Sequence, residues 1–272
     1  NKNPNAAENP QPSYLLTAAQ KISSDAYWGA DNNFNSSLLI VQHWAKIQYT
    51  DPDRYIFSNS SFTSLWNTVY SQSIADLNAI IQLPEEKAGS NYKNVAVILR
   101  SWVFQLLTDA YGNIPYKQAA NIAEYITPEY DAQEDVYKGL LAELKTAVAA
   151  LDENDKAISG DVIYNGNIAD WKKFGNSLRL RIAFRIADRD PETARQEISD
   201  VLADAGGVIA DNSETAQLVY ADAPQQNPAS AWFDTRDDYR ISKTIVDKLY
   251  ALNDPRLPIY ASQPTDASVT DY

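Results

Sequence analysis

Apolar residues recur every three or four positions over most of this chain, and this period restricts what it can fold into. The apolar positions of one clear segment are Trp66, Tyr70, Ile74, Leu77 and Ile81. Residues at this spacing lie on one face of an α-helix, and the proline at position 84 ends the pattern because it cannot continue the helical hydrogen bonds. The spacing therefore predicts an amphipathic helix before Pro84.

The same period predicts helices elsewhere in the chain. The other predicted helices cover residues 14–28, 37–49, 91–110, 137–151, 171–182, 192–204 and 242–252. The segment 91–110 is apolar on most of its circumference, so we expect it to lie buried between neighbours. Only residues 217–220 and 161–164 resemble strands, and both are too short to build a sheet-based core.

Paired helices joined by turns define the expected fold class. We predict an all-α fold of stacked helical hairpins, similar to tetratricopeptide arrays, with long irregular loops and few short strands. We expect residues 1–272 to form a single helical domain.

Net charge and apolar runs restrict the partners. The chain has a formal charge of −13 with only 23 Lys plus Arg, so it lacks the basic surface that nucleic acid requires. No run reaches the roughly 18 apolar residues of a membrane-spanning helix. Cysteine is absent from the sequence, which excludes disulfides and thiolate metal sites within it. We expect neither a nucleic-acid partner nor a membrane-spanning helix.

The residue types give little support to an enzymatic function. His43 is the only histidine, and no nucleophile motif accompanies it, so we expect neither a Ser-His-Asp triad nor a histidine-rich zinc site. Glycoside hydrolysis requires only two suitably spaced carboxylates, and the 36 Asp plus Glu provide many pairs. We predict no catalytic residues, and an all-α glycoside hydrolase remains the enzymatic alternative.

Two further groups of charged or polar residues have alternative interpretations. The oxygen-rich segments 31–33 and 152–155 lack the glycine and closing glutamate of an EF-hand, so ordinary polar loops are favoured over structural calcium. No cofactor is predicted, although calcium stays open. Arg181, Arg185 and Arg189 lie four positions apart and form a basic stripe, which favours ion pairs with neighbouring helices over an anion site.

The chain is rich in aromatic residues, with 17 Tyr and 6 Trp. Trp66, Trp102 and Trp171 lie on the apolar helical stripes, so we predict that they belong to the core. Other aromatic residues lie at predicted helix ends or in polar loops, where flat rings beside amide and charged groups suit a sugar. The predicted ligand-binding residues are Trp28, Trp44, Tyr49, Tyr55, Trp232, Tyr239 and Arg240.

Several sequence strings together resemble one protein family. The most specific is Thr-Asp-Ala-Tyr-Gly-Asn-Ile-Pro-Tyr at 108–116, which we predict to be a structural helix terminator with positive φ at Gly112. The others lie at residues 3–5, 171–181, 235–240 and 254–260. In these strings the chain resembles the SusD-like family of outer-membrane nutrient-binding lipoproteins, in its starch-binding, outer-membrane-associated branch.

This resemblance implies a function at the cell surface. Members partner a TonB-dependent (SusC-like) transporter in Bacteroidetes, so the resemblance implies a lipid-anchored lid that captures oligomeric nutrients, above all glycans, and has no chemistry of its own. The alternative ligand on the same scaffold is a peptide. The sequence lacks the anchoring cysteine of the family, and we expect membrane contact only through such an anchor. Family members are longer than this chain, so we expect it to be a fragment without the C-terminal part.

Overall fold

The computed structural model describes residues 11–263 and is mostly helical, which confirms the predicted all-α class. Its contacts divide the chain into two compact units. Unit 1 contains residues up to Ser24 together with Trp66–Val219, and unit 2 contains Asp25–Leu65 together with Tyr220 onwards. The single domain expected over residues 1–272 stays a prediction. Within residues 11–263, no helix is long and apolar enough to cross a membrane.

The helices follow one another along the chain with short strands in unit 2. In chain order the elements are α1 (Pro12–Trp28), a π-helical turn (Asn33–Ser37), α2 (Leu38–Ile40), β1 (Trp44–Lys46), a 3-10 turn (Pro52–Arg54), α3 (Thr63–Thr68), a second π-helical turn (Val69–Ile74), α4 (Ala75–Gln82), α5 (Glu85–Tyr111), α6 (Gln133–Ala150), α7 (Ile168–Ile186), α8 (Pro191–Leu202), a second 3-10 turn (Asn212–Glu214), α9 (Pro228–Phe233), β2 (Tyr239–Ile241), α10 (Lys243–Ala251) and α11 (Leu257–Tyr260).

Unit 1 is a stack of long helices in which α5, α6, α7 and α8 each pack against the next. Gly175 of α7 shows how close this packing is. A Cβ atom at that position would collide with the Val148 side chain of α6 and press on Ile98 of α5. The periodic apolar faces identified in the sequence therefore meet as predicted, in consecutive helices packed side by side.

A buried carboxylate joins the first helix of unit 1 to the start of α7. Asp161 is buried and accepts hydrogen bonds from the side chains of Gln20 and Trp171, each at 2.7 Å. The backbone N–H groups of Ile163 and Gly166 also donate to it, at 3.0 and 2.9 Å. These donors compensate the desolvation that an isolated buried carboxylate would suffer.

The predicted terminator at the end of α5 is confirmed. Gly112 follows the last helical residue with φ of 76° and ψ of −114°, a conformation that residues with a Cβ atom rarely adopt. The Thr108 hydroxyl donates to the Gly112 carbonyl at 2.8 Å. The chain then continues into the α5–α6 loop (residues 113–132), where Ile114 and Asp131 form an isolated antiparallel bridge.

Unit 2 departs from the sequence-based prediction. The predicted helix over 37–49 is wrong, since α2 ends at Ile40 and Gln42 adopts a positive φ of 55°. Trp44 instead begins β1, which pairs antiparallel with β2, so tertiary pairing overrides the local helical pattern. Elsewhere in the chain, the strands expected at 161–164 and 217–220 are also wrong, because neither segment forms a β-strand. The family string at residues 3–5 lies outside the described residues.

Candidate ligand-binding site

Unit 2 gathers five aromatic side chains into one cluster, which we call the aromatic cluster. Its members are Phe34, Trp44, Trp232, Phe233 and Tyr239. The Tyr239 ring lies 5.5 Å from Trp44, 5.7 Å from Phe34 and 6.1 Å from Phe233, measured between ring centroids. These tilted and edge-to-face contacts are the geometry that aromatic rings prefer.

The cluster has a buried base and a partly exposed rim. Phe34 and Tyr239 are 2% and 3% exposed, so they form the base. Trp44 and Trp232 are half-buried, and Phe233 is exposed. Ligand contact by Tyr239 stays a prediction. Its burial shows that it supports the other rings from beneath.

A cation lies between two of the predicted aromatic residues. The Arg236 guanidinium lies over the ring of Tyr49, 5.0 Å from its centroid, and over the ring of Trp232, 4.8 Å from its centroid. The buried Asp238 carboxylate holds it through a 2.9 Å ion pair. Tyr49 is 69% exposed, so Arg236 connects an exposed ring to the half-buried Trp232.

Polar groups beneath the cluster are matched to one another. Lys46 lies opposite Tyr239 in the β1–β2 ladder and is buried. Its ammonium group donates to the Asn35 side-chain oxygen at 3.0 Å and to the Tyr239 hydroxyl at 3.2 Å. Burial lowers the pKa of Lys46, and the nearby Asp238 opposes this effect. Lys46, Asn35 and the Tyr239 hydroxyl are therefore paired with one another beneath the rings.

Three other predicted binding residues do not join the cluster within residues 11–263. Trp28 is exposed at the end of α1, and Tyr55 is exposed with its hydroxyl 3.3 Å from the Ile40 carbonyl. Arg240 alternates with Tyr239 along β2, so its side chain points to the opposite face. There it forms a two-pronged ion pair with Asp237, at 2.6 and 2.8 Å. Their role in binding stays a prediction.

The sequence reasoning missed three residues of this region. Phe233 adjoins Trp232, and Arg236 lies in a quoted family string, so both were within reach of the same argument. Phe34 offered no signal, because a lone aromatic in an asparagine-rich segment resembles any other loop residue. Only the fold shows that it underlies Trp44 and Trp232.

The three tryptophans predicted for the core differ in how deeply they are buried. Trp171 is completely buried, as predicted. Trp66 and Trp102 are only half-buried, so the core prediction is wrong for these two. Trp66 is the first residue of unit 1 after the chain returns from unit 2, and it lines a groove beside the α5–α6 loop.

The remaining charged candidates form local contacts. Arg185 makes a bidentate ion pair with Asp109, which confirms the ion-pair interpretation at that residue. In the oxygen-rich segments, Asp31 accepts the Leu65 N–H at 2.8 Å and Asp152 accepts from Asn154. Among the described residues, no group of three or more His, Cys, Asp or Glu side chains is placed to hold a metal ion.

The stacked helices of unit 1 place the chain among tetratricopeptide-like helical proteins. A family model described as starch-binding and associating with the outer membrane matches residues 4–272. The chain belongs to the SusD-like family. A search of curated protein sequences finds no significant match.

Solved structures share the fold. A chitin-binding protein has 28% identity and a TM-score of 0.81, over 92% of this chain and 54% of its own. A SusD homolog from Bacteroides fragilis has 26% identity and a TM-score of 0.78, over 96% and 54%. A chitin-binding SusD homolog from Flavobacterium johnsoniae has 23% identity and a TM-score of 0.78, over 90% and 53%, and shows the fold alone. The chain spans about half the length of these structures.

Proposed function

We propose that this protein captures oligosaccharides at the cell surface and that the rim of the aromatic cluster forms their binding site. The observation that carries the proposal is the group of accessible rings in unit 2, where Phe233 and the half-buried Trp44 contact Tyr239 of the base, and Arg236 links the exposed Tyr49 to Trp232. The family description as starch-binding, and a chitin-binding relative of known structure, support a glycan as the ligand.

The chemistry of the rim suits a sugar ring. Pyranose rings expose flat faces of C–H groups that pack on aromatic rings, while their hydroxyls need hydrogen-bond partners. Arg236 donates to Asp238 through Nε, and the N–H groups of its terminal nitrogens provide further donors beside Tyr49. Such contacts are individually modest, and we expect dissociation constants from about millimolar to micromolar.

The proposed physiological role is delivery to an importer. We infer that the protein is lipid-anchored in the outer membrane, exposed at the cell surface, and passes its ligand to a TonB-dependent, SusC-like transporter. The family description as associating with the outer membrane supports this location. A test is co-purification with the transporter encoded beside its gene, and the absence of a complex after mild detergent extraction would contradict the partnership.

The proposed function includes no chemistry on the ligand. Purified protein incubated with starch and chitin oligosaccharides should release no reducing ends. Release that persists through purification, and that disappears when one carboxylate is changed, would replace the binding function with glycoside hydrolysis.

The binding site itself is tested by calorimetry with maltoheptaose and chitohexaose. Tyr49→Ala and Phe233→Ala should weaken binding about tenfold or more, since each removes an exposed ring. Tyr14→Ala is the matched control for Tyr49, because Tyr14 is 76% exposed against 69% for Tyr49 but belongs to unit 1. Binding that is unaffected by the first two changes would refute the site, and failure to bind any glycan of a broad panel would refute the function.

A further inference from the structure

Unit 1 contains a second surface with the features of a binding site. An open groove of about 780 Å³ lies between the α3–α4 region and the α5–α6 loop. We call it the loop groove. Its principal lining residues are Trp66, Tyr70, Pro115, Ile122, Ile126 and Tyr130.

The floor of the loop groove is a preformed aromatic stack. The Trp66 ring lies 4.7 Å from Tyr70 and 5.1 Å from Tyr111, between centroids. Tyr130 stacks on Trp66 at 6.0 Å with an interplanar angle of 19°. The Tyr70 hydroxyl donates to the Pro115 carbonyl at 2.7 Å, which ties this stack to the α5–α6 loop. Rings held on several sides lose little entropy when a partner binds.

The rim of the loop groove exposes large apolar side chains. Ile122 is 79% exposed and Ile126 is 85% exposed, and both extend from the α5–α6 loop beside the stacked rings. The loop that carries them is tied down. Asp131 accepts the N–H groups of Tyr116 and Lys117, at 3.1 and 3.0 Å. Contiguous apolar surface on an ordered loop is typical of an interaction site.

The hydrogen-bonding groups of the loop groove favour a protein over a sugar as the occupant. The Asn121 amide donates to Glu124 at 3.0 Å, and the Ser71 hydroxyl donates to the Asn67 carbonyl at 2.7 Å. With Tyr70 bonded to Pro115, three polar side chains of the lining are already hydrogen-bonded, and most of the remaining lining residues are apolar or aromatic. Isoleucine, proline and alanine side chains around the aromatic floor instead match aliphatic or aromatic side chains.

The charge at the rim is negative. Glu124 accepts a hydrogen bond from the groove residue Asn121 at 3.0 Å, and Glu129 lies in the chain between the groove residues Pro128 and Tyr130. The lysine of the loop, Lys117, already forms a 3.2 Å ion pair with Asp131. Among the described residues of the α5–α6 loop, the carboxylates of Glu124 and Glu129 have no basic partner.

We propose that the loop groove binds a segment of a partner protein that carries apolar side chains flanked by lysine or arginine. The apolar side chains fill the space above Trp66 and beside Ile122 and Ile126, and the basic flanks meet Glu124 and Glu129. A second copy of this chain fits less well, because the chain has a formal charge of −13 and would present acidic surface to the acidic rim.

The test is selection from a displayed library of random twelve-residue peptides, using the whole chain as bait. We expect enriched peptides to combine two or more aliphatic or aromatic residues with Lys or Arg. A synthetic copy of the strongest peptide is then measured by fluorescence polarisation against Ile126→Asp. This change should weaken binding at least about tenfold and leave folding intact, because Ile126 is almost fully exposed.

Two further variants make the result specific. Ile259→Asp is the matched control, since Ile259 is 78% exposed and belongs to unit 2, and it should bind as wild type does. The double change Glu124→Gln, Glu129→Gln should weaken binding and flatten its dependence on salt, because screening acts on the rim charges.

Three outcomes would overturn the proposal. One is an absence of enrichment over the unselected library, or enriched peptides that bind Ile126→Asp as tightly as wild type. A second is maltoheptaose or chitohexaose binding that Ile126→Asp abolishes, which would make the loop groove a glycan site. A third is a wild-type dimer in sedimentation that Ile126→Asp dissociates, which would assign the groove to a second copy.

Discussion

Unit 1 and unit 2 achieve stability in different ways. In unit 1, α5, α6 and α7 bury wide apolar faces, and ion pairs such as Arg185–Asp109 join residues that are far apart in the chain. In unit 2 the helices and strands are short, and aromatic rings pack around Phe34 and Tyr239. The four ion pairs described there, Arg236–Asp238, Arg240–Asp237, Lys243–Asp247 and Arg256–Asp254, join residues two to four positions apart.

This difference indicates that the two units respond differently to substitution. A stack of periodic helices tolerates little change because every turn touches a neighbour. A loop-rich unit with a small aromatic base can vary its exposed residues while the base is retained. We therefore expect substitutions in unit 1 to act mainly on stability, and substitutions at the rim of unit 2 to act mainly on ligand binding.

The largest expected contrast is between two tryptophans. Trp171→Ala removes a completely buried side chain and leaves the buried Asp161 without its indole donor, so it should lower the free energy of unfolding by about 3–5 kcal/mol. Trp44→Ala, at a half-buried position, should lower it by only about 1–2 kcal/mol. Urea unfolding followed by circular dichroism measures both. Equal losses of unfolding free energy in the two variants would contradict the expected difference between the two units.

The control for Trp171 separates packing from hydrogen bonding. Trp171→Phe retains most of the ring but removes the donor to Asp161. We expect it to recover part of the loss, with a remaining deficit of about 1–3 kcal/mol because the buried carboxylate has lost one of its hydrogen-bond donors.

A middle-sized effect is expected at Arg236. Arg236→Gln removes the cation between Tyr49 and Trp232 and leaves the buried Asp238 without its ion pair. Because the Arg236 side chain is itself 38% exposed, we expect a loss of about 1–2 kcal/mol rather than the larger value for a fully buried pair. Arg181→Gln, at an exposed position of unit 1, is the control. An Arg236→Gln variant that is as stable as the wild type in urea unfolding would contradict this contribution of Arg236.

The smallest effect concerns a local ion pair of unit 2. Hydrogen bonds from Arg256 hold the pKa of Asp254 at about 2, below its ordinary value of 3.8. A depressed carboxyl pKa stabilises the folded state at pH values above 3.8, and this contribution disappears as the pH falls towards 2. Carboxyl carbon NMR should show the low pKa in the wild type and a return towards 3.8 in Arg256→Gln. An unchanged pKa in that variant would exclude Arg256 as the cause.

The sequence predicts the long helices of unit 1 well because several local signals agree. The apolar period, Pro191 at the first turn of α8 and the Asp190 side chain that caps it all favour the observed boundaries. Gly112 marks the end of α5 for a similar local reason. Such signals depend only on neighbours in the chain, so they can be interpreted without knowing the fold.

The site in unit 2 is less predictable because distant residues build it. Residues 37–49 carry a helical pattern, yet Trp44 pairs with Ile241 across the β1–β2 ladder. Loop aromatics could be selected by type, and Trp44, Trp232 and Tyr239 do meet. Nothing local indicated that Tyr239 would be buried and Tyr49 exposed, since Tyr239 lies in the β1–β2 ladder and Tyr49 lies in the loop beyond it.

The Asp161 network also determines the order in which the molecule can be assembled. Gln20 leaves the site of synthesis well before Asp161, its hydrogen-bond partner 141 positions later in the chain. Until that partner arrives, the amide of Gln20 has only water to bond, and α1 lacks the contact that anchors it. We therefore expect α1 to complete its docking only after Asp161 has been synthesised, later than its place in the chain alone would suggest.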